Sequence, residues 1–383
     1  MSQTIDHKSR AHALLSASSA ARWLACPPSA VAAEAYPDQD TEFTREGTLA
    51  HEVAEYYART YNGEKPAALQ TEGVNPEMVE NAERYAEYIQ EHKTQDGAIV
   101  LLEERVDYSP WAPDGFGTCD CIIIQGDTLT VIDYKYGKGV AVEAAGNPQM
   151  RLYALGALHK YGFAYDIEKV ETHVFQPRIS NISEEQITTD ALLEWGEEVK
   201  PVAELAAKGE GYYTPGMHCK FCPHAGRCRA LTDVCTEYVQ HKGVSIKVPV
   251  LAPHEVAEVL KMEPLVTLWL KRVRDQALTT MLNGEQVPGW KVVEGKQGNR
   301  KWTDELQVAE ALAAAGYSRE DITETKLLSP AAMDKVVGKK KAAELLAGMI
   351  DRAPGAPTIA PENDKRQPYD RLAEAQKDFE VTQ

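Results

Sequence analysis

No stretch of roughly eighteen consecutive apolar residues occurs in the 383-residue sequence, so a membrane-spanning helix is not expected, and the opening MSQTIDHKSR lacks the apolar core of a secretory signal. Positive charge is also short: 41 basic against 58 acidic residues give a net −17, which argues against indiscriminate polyanion binding. A local basic groove can still admit DNA to an acidic protein. Cysteine is sparse and odd in number, seven in all, which disfavours a disulfide framework and favours free thiols or metal ligands in an intracellular protein. The expected setting is the cytoplasm, with no membrane partner. No internal repeat is found. What is present, 43% hydrophobic and 26% charged residues, is the composition of an ordinary globular protein with room for two or three domains.

Apolar patterning divides the chain into an α/β region over 12–240, a mainly helical α+β extension over 245–350, and a Pro-rich extended linker or tail with a short helix over 351–383. A helix within LLSASSAARWLACPPS, capped by Ser16 or Ser18, is stopped by Pro27 and Pro28, so Cys26 falls at its end. Further helices are predicted from Gly47 to Asn62 and from Pro76 to about Lys93. Strands follow in AIVLLEERV, CDCIIIQ and TLTVIDY, the last two joined by a hairpin at Gly126-Asp127. A helix from near Pro148, a strand KVETHVFQP and a helix over 190–209 complete the α/β core. Beyond 245 come a helix that is long or broken at Pro264, a small hairpin from GWKVVEG and NRKWTD, and three short helices.

Asp133 and Lys135 are two apart at a strand end and so share a face, while Asp120 lies on the preceding strand where the hairpin can bring it to Asp133. Two converging carboxylates call for a cation, and Mg²⁺ or Mn²⁺ suits hard oxygen donors. His51 can complete the shell and tilts the preference toward Mn²⁺. Lys135 would then stabilise charge on a phosphoryl group, and Gln149 and Tyr153, four apart on one helix face, could position it or a phosphate. Singly, each residue has a plainer reading: a surface ion pair for D-x-K, a packing residue for His51, a turn cap for Asp120. The ordered set is what points to metal-dependent phosphodiester hydrolysis.

That set resembles the RecB-like branch of the PD-(D/E)XK nuclease superfamily, which contains the RecB and AddB nuclease domains, the CRISPR-adaptation exonucleases and related phage exonucleases. The resemblance implies a restriction-endonuclease-like core, a central mixed β-sheet flanked by helices. It implies that His51 of G-x-x-x-H, Asp120 of G-x-x-D and Asp133 of D-x-K bind the metal together with the Tyr134 carbonyl. Lys135 would be the catalytic lysine, with Gln149 and Tyr153 the Q-x-x-x-Y element.

Cys219, Cys222 and Cys228 form C-x2-C-x5-C, and Cys26 could supply a fourth thiolate. By spacing alone the set suits zinc or an iron–sulfur cluster, and a zinc knuckle could instead draw on His218, His224 or Cys235. The resemblance implies a structural [4Fe–4S] cluster on Cys26, Cys219, Cys222 and Cys228. Cys119 and Cys121 read as core residues facing away from Asp120.

Lys138, Arg151 and Arg178 near the core, and Lys271, Arg272, Arg274, Lys291, Lys296, Arg300 and Lys301 beyond it, are candidate phosphate contacts. Trp290 and Trp302 read as the core of the small domain, with stacking on frayed bases as the alternative. The run Lys339 to Lys341 could serve DNA or solubility. The expected activity is a metal-dependent DNA exonuclease acting on linear duplex ends in phage recombination or DNA processing. The layout that includes VPGWKVVEG and NRKW is similar to a phage and prophage protein family, implying a bacterial host cell. Expected partners are DNA, a single-strand annealing recombinase and further copies of the chain. The alternatives are a structure-selective endonuclease or flap nuclease of the same fold, or a non-catalytic DNA-end-binding module.

Overall fold

A computed structural model of the protein describes residues 13–36, 42–241 and 252–293. These belong to the first of two compact units, Met1–Val293, so the Trp302 and Lys339–Lys341 expectations, the small hairpin's second strand and the three short helices fall outside the described residues.

The framework is a five-stranded mixed sheet in the order β1 (Ile99–Asp107), β2 (Phe116–Gln125), β3 (Thr128–Tyr134), β4 (Lys169–Gln176), β5 (Asn181–Thr188). All neighbours run antiparallel except β3 and β4, which are parallel. A parallel pair needs a crossover, supplied here by a helix over Pro148–Tyr161. β2 and β3 turn at Gly126-Asp127, where Gln125 pairs with Thr128 and Gly126 takes a φ of +57°, the positive φ that a two-residue hairpin with glycine first requires.

In chain order the helices are α1 (Ala20–Ala25), α2 (Ser29–Ala33), α3 (Glu42–Tyr61), α4 (Pro76–His92), the crossover α5, α6 (Thr189–Lys208), α7 (Arg229–His241) and α8 (Pro253–Leu282). Each face of the sheet has its own core. Met150, Leu152 and Leu155 of α5 and Leu192 and Val199 of α6 pack with Ile122, Ile124, Val131 and Val174. Val53 and Ala54 of α3 and Met78, Tyr85 and Ile89 of α4 pack with Ile123, Ile132 and Phe175 on the other. The result is a helix–sheet–helix sandwich, which is why β2 and β3 are apolar at consecutive positions rather than alternating.

Several elements differ from expectation. α3 starts at Glu42, and β2 starts at Phe116, which puts Asp120 inside the strand rather than at its start. Of the two forms expected for the helix at Pro264, α8 takes the long one and runs unbroken through that residue. Its residues Leu265, Val266, Leu268 and Trp269 pack on the cysteine segment, and Trp269 Nε1 donates to Thr232 Oγ1 at 3.2 Å. The helix expected to open a separate region at 245–350 therefore lies within the Met1–Val293 unit.

Candidate functional site

The β2–β3 ladder ends at Cys121 and Ile132, and the next step outward on each strand is Asp120 and Asp133. Asp120 Oδ2 accepts the backbone N–H of Tyr134 at 2.7 Å, tying the two strand ends together. Its other oxygen lies 3.5 Å from His51 Nδ1, presented by α3. Asp133, only 3% exposed, is gripped from the other side: Lys135 Nζ stands 2.9 Å from Oδ2, and Gln149 Nε2 donates to Oδ1 at 2.9 Å. Lys135 Nζ also donates to Gln149 Oε1 at 3.4 Å. Gln149 owes its place to the helix start, where Asn147 caps the Gln149 N–H at 3.0 Å and Pro148 opens the first turn.

Tyr153, one turn further along α5, packs against β2. A Cβ on Gly117 would come within 2.6 Å of its ring, so the glycine three residues before Asp120 is what lets the helix approach. The structure thus brings His51, Asp120, Asp133, Lys135, Gln149 and Tyr153 to one end of the sheet. Tyr134 joins the cluster through its amide, which Asp120 accepts.

One residue escaped the sequence reading. Glu103 sits opposite Asp120 on β1, in a gap in the ladder between the pairs Leu102–Cys121 and Glu104–Cys119, with a left-handed φ of +52°. Positive φ is uncommon for a non-glycine residue and concentrates where a side chain must be re-aimed. His51, Glu103 and Asp120 each offer a ligand atom within 4.8 Å of the others, a group that does not include Asp133. The available signal was an acidic pair interrupting an apolar strand. Glu104 is accounted for separately, by Lys160 and by the Tyr161 hydroxyl at 2.8 Å.

The electrostatics are those of crowded carboxylates. Burial and the neighbouring Asp120 push Glu103 up to about 8. Burial also raises Asp133, against the pull of Lys135 and with a further push from Asp120. Asp120 goes the other way: burial opposes ionisation, but His51, Lys135 and the Tyr134 N–H together hold it below the usual range. Burial would depress His51 and Lys135, yet the aspartates outweigh it and both are raised, so Lys135 is a cation. Asp133 Oδ2 has no hydrogen bond despite the nearby ammonium, which is off-angle. An imidazole, converging carboxylates and an under-satisfied buried oxygen fit a divalent ion such as Mn²⁺ or Mg²⁺.

A second cluster lies at the end of α1. Cys26, Cys219, Cys222 and Cys228, all buried and free, line one small cavity. Two short 3-10 turns, Met217–Phe221 and Pro223–Arg227, present the last three, and Arg22 of α1 lies against Cys222. Burial raises the Cys219 and Cys222 thiols, with the other cysteines adding to the rise, so metal binding here must release protons. His218 and His224 also line the cavity, with His218 Nε2 donating to the Thr214 carbonyl at 2.8 Å and His224 Nδ1 3.1 Å from the Tyr36 hydroxyl. Cys235 is outside it, packed with Leu265. The four buried thiols fit a thiolate-bound metal centre. Cys119 and Cys121 are fully buried but join different cores, Cys119 on the α5 side and Cys121 on the α3–α4 side.

Of the basic residues, Arg151 is engaged by Glu185, with Nε 3.1 Å from Oε2, and Arg178 by Glu46 and Glu77 at 3.1 and 3.0 Å. Arg272 donates to the Lys220 carbonyl. Lys138 is half exposed, 3.4 Å from Glu77, and Lys271, Arg274 and Lys291 are exposed. Trp290 is 71% exposed, contrary to the core role expected for it. Lys296, Arg300 and Lys301 lie outside the described residues.

Fold and site together define an α/β protein with a mixed five-stranded sheet, an acidic cluster at one end of its strands and a four-cysteine pocket at its flank. The chain belongs to the DUF2800 family, described as a protein family of unknown function, whose model matches residues 12–367. A solved structure titled "Crystal structure of SSO0001" is similar at 17% identity over 48% of this chain and 85% of that one, with a TM-score of 0.24. Among the described residues no helix is long and apolar enough to cross a membrane.

Proposed function

We propose that this chain is a metal-dependent deoxyribonuclease of the RecB-like PD-(D/E)XK type, acting as an exonuclease on linear duplex ends in phage recombination or DNA processing. The observation that carries the reading is the meeting of His51, Glu103, Asp120, Asp133, Lys135 and Gln149 at one sheet end, supplied by α3, β1, β2, β3 and α5. A divalent ion held by His51, Glu103 and Asp120, with Asp133 beside them, would supply Lewis-acid stabilisation of phosphoryl charge and a more acidic water.

The chain's own groups do the rest. Lys135, protonated and fixed between Asp133 and Gln149, places positive charge where the phosphoryl oxygens develop theirs. It acts as a charge stabiliser, since a lysine with a raised pKa is a poor base. Asp133, whose Oδ2 has no hydrogen bond, is the carboxylate placed to accept a proton from the attacking water, Glu103 being committed to the ion. Gln149 keeps Asp133 and Lys135 in register, and Tyr153 closes the wall beside Gly117. The cysteine pocket would hold a structural [4Fe–4S] cluster, with zinc the competing occupant, joining α1 to the segment that follows α6. Linear DNA, a single-strand annealing recombinase and further copies of this chain are the proposed partners, and the host bacterial cytoplasm the proposed setting.

The test is digestion of end-labelled linear and covalently closed circular DNA with Mg²⁺ or Mn²⁺, using oxygen-protected full-length protein. Wild type is expected to degrade linear DNA alone, and Asp133→Ala and Lys135→Ala each to slow by roughly 100-fold or more. Cutting of closed circles would establish the endonuclease reading instead. Binding of ends without cleavage by metal-loaded wild type would leave the non-catalytic end-binding module.

A further inference from the structure

A second set of ligating side chains meets where the last turn of α4 crosses β4 and β5. We propose that His92, His173 and Glu184 form a binding site for a transition-metal ion of the zinc type. Each offers a ligand atom within 4.8 Å of the other two. His173 and Glu184 are direct cross-strand partners in the β4–β5 register, so their side chains rise from the same face, and His92 closes the group from α4.

The surroundings of the two imidazoles carry the argument. His92 Nδ1 donates to the Tyr88 carbonyl at 2.8 Å, which leaves Nε2 with the lone pair. His173 Nε2 lies 3.7 Å from Glu171 Oε2, while its Nδ1 faces the Tyr88 hydroxyl at 2.8 Å and Glu184 Oε1 at 4.0 Å. His92 is thus backed by a carbonyl through the nitrogen turned away from the group, and His173 has the Glu171 carboxylate near its Nε2, beyond hydrogen-bond distance. Such backing fixes the tautomer and orientation of a metal-binding histidine. The Tyr88 hydroxyl donates to Glu184 at 3.0 Å and so accepts from His173 Nδ1 at 2.8 Å, and an ion bound through Nδ1 requires the other tautomer, with the proton on Nε2 toward Glu171.

Two imidazoles and one carboxylate favour zinc and its neighbours over magnesium or calcium, and three protein ligands leave a fourth position for water or Tyr88. Donor atoms around a tetrahedral zinc sit about 3.4 Å apart, so closure requires movements of roughly 1 Å. The mobile members are the right ones: His173 is 3% exposed and fixed by the sheet, whereas Glu184 is exposed and His92 half-buried. An ion here would pin the end of α4 to the sheet, and with it α3, on which His51 is carried. The site does not depend on the nuclease reading.

The experiment is zinc titration of full-length protein by equilibrium dialysis with metal counting, alongside thermal melts with and without zinc. His92→Gln and Glu184→Gln are each expected to bind one zinc fewer than wild type and to lose the zinc-dependent rise in Tm. Glu171→Gln, which removes the negative charge beside His173 Nε2, is expected to keep the ion with affinity weakened roughly 10-fold. Because the three substitutions are in partly exposed side chains, the metal-free Tm separates lost binding from lost folding. If His92→Gln lowers it, the count in Glu184→Gln decides. Equal zinc counts and equal Tm shifts in wild type and both ligand variants would overturn the proposal, leaving Tyr88 and His173 as a hydrogen-bonded core pair.

Discussion

Asp133 shows how much one side chain depends on its neighbours. Its carboxylate is buried beside a second carboxylate, and it is tolerable only because Lys135 and Gln149 close on it. The residues that make this arrangement were legible in the sequence because two-residue spacing on a strand and four-residue spacing on a helix each fix a common face. Glu103 was not, since a glutamate on a strand reads as a solvent-facing residue and only its left-handed backbone turns it toward Asp120. Gly117 makes a sharper case. Gly117→Ala forces a methyl into the Tyr153 ring and is expected to destabilise the protein by about 1–3 kcal/mol, read as a lower urea midpoint with unchanged slope.

At the scale of elements, the hairpin and the crossover helix were predictable from turn chemistry and periodicity, and they are what place Asp120, Asp133 and Gln149. β5 was not predictable. Its two isoleucines, Ile182 and Ile187, are an odd number apart and so point to opposite faces, leaving Ile182 50% exposed on an edge strand with no apolar alternation to read. β5 nonetheless anchors α5 through Glu185, which receives Arg151 and the Gly146 N–H. Burial pushes Glu185 up, but these donors outweigh it and its folded pKa lies below the usual 4.5. A depressed carboxyl stabilises the fold above its unfolded pKa and loses that contribution as pH falls through the folded value. The stability difference between wild type and Glu185→Gln, about 1 kcal/mol, is therefore expected at neutral pH and to fade in acid as pH falls below the unfolded pKa and through the folded one. Denaturant midpoints measured from pH 7 to pH 3 check this, and a difference independent of pH would refute the ion-pair account.

Across the whole molecule, the sequence reading began a separate extension near 245, whereas the described residues up to Val293 belong to the first compact unit. Composition marked a change of style after the cysteine segment, but not that α8 would return to cover it. The contact is close: a Cβ on Gly226, between Cys222 and Cys228, would come within 2.5 Å of the Arg272 carbonyl. Such docking depends on matching shapes far apart in the chain, which local periodicity does not encode. The net charge of −17 belongs to this scale as well, since it makes any DNA contact a local property of exposed lysines such as Lys138. The central claim is that a divalent ion is held at the strand ends of the sheet. Anomalous diffraction from crystals grown with Mn²⁺ tests it most directly. A manganese peak bounded by His51, Glu103 and Asp120, absent in Asp120→Asn, is expected, whereas ordered crystals with that group free of manganese would contradict the account.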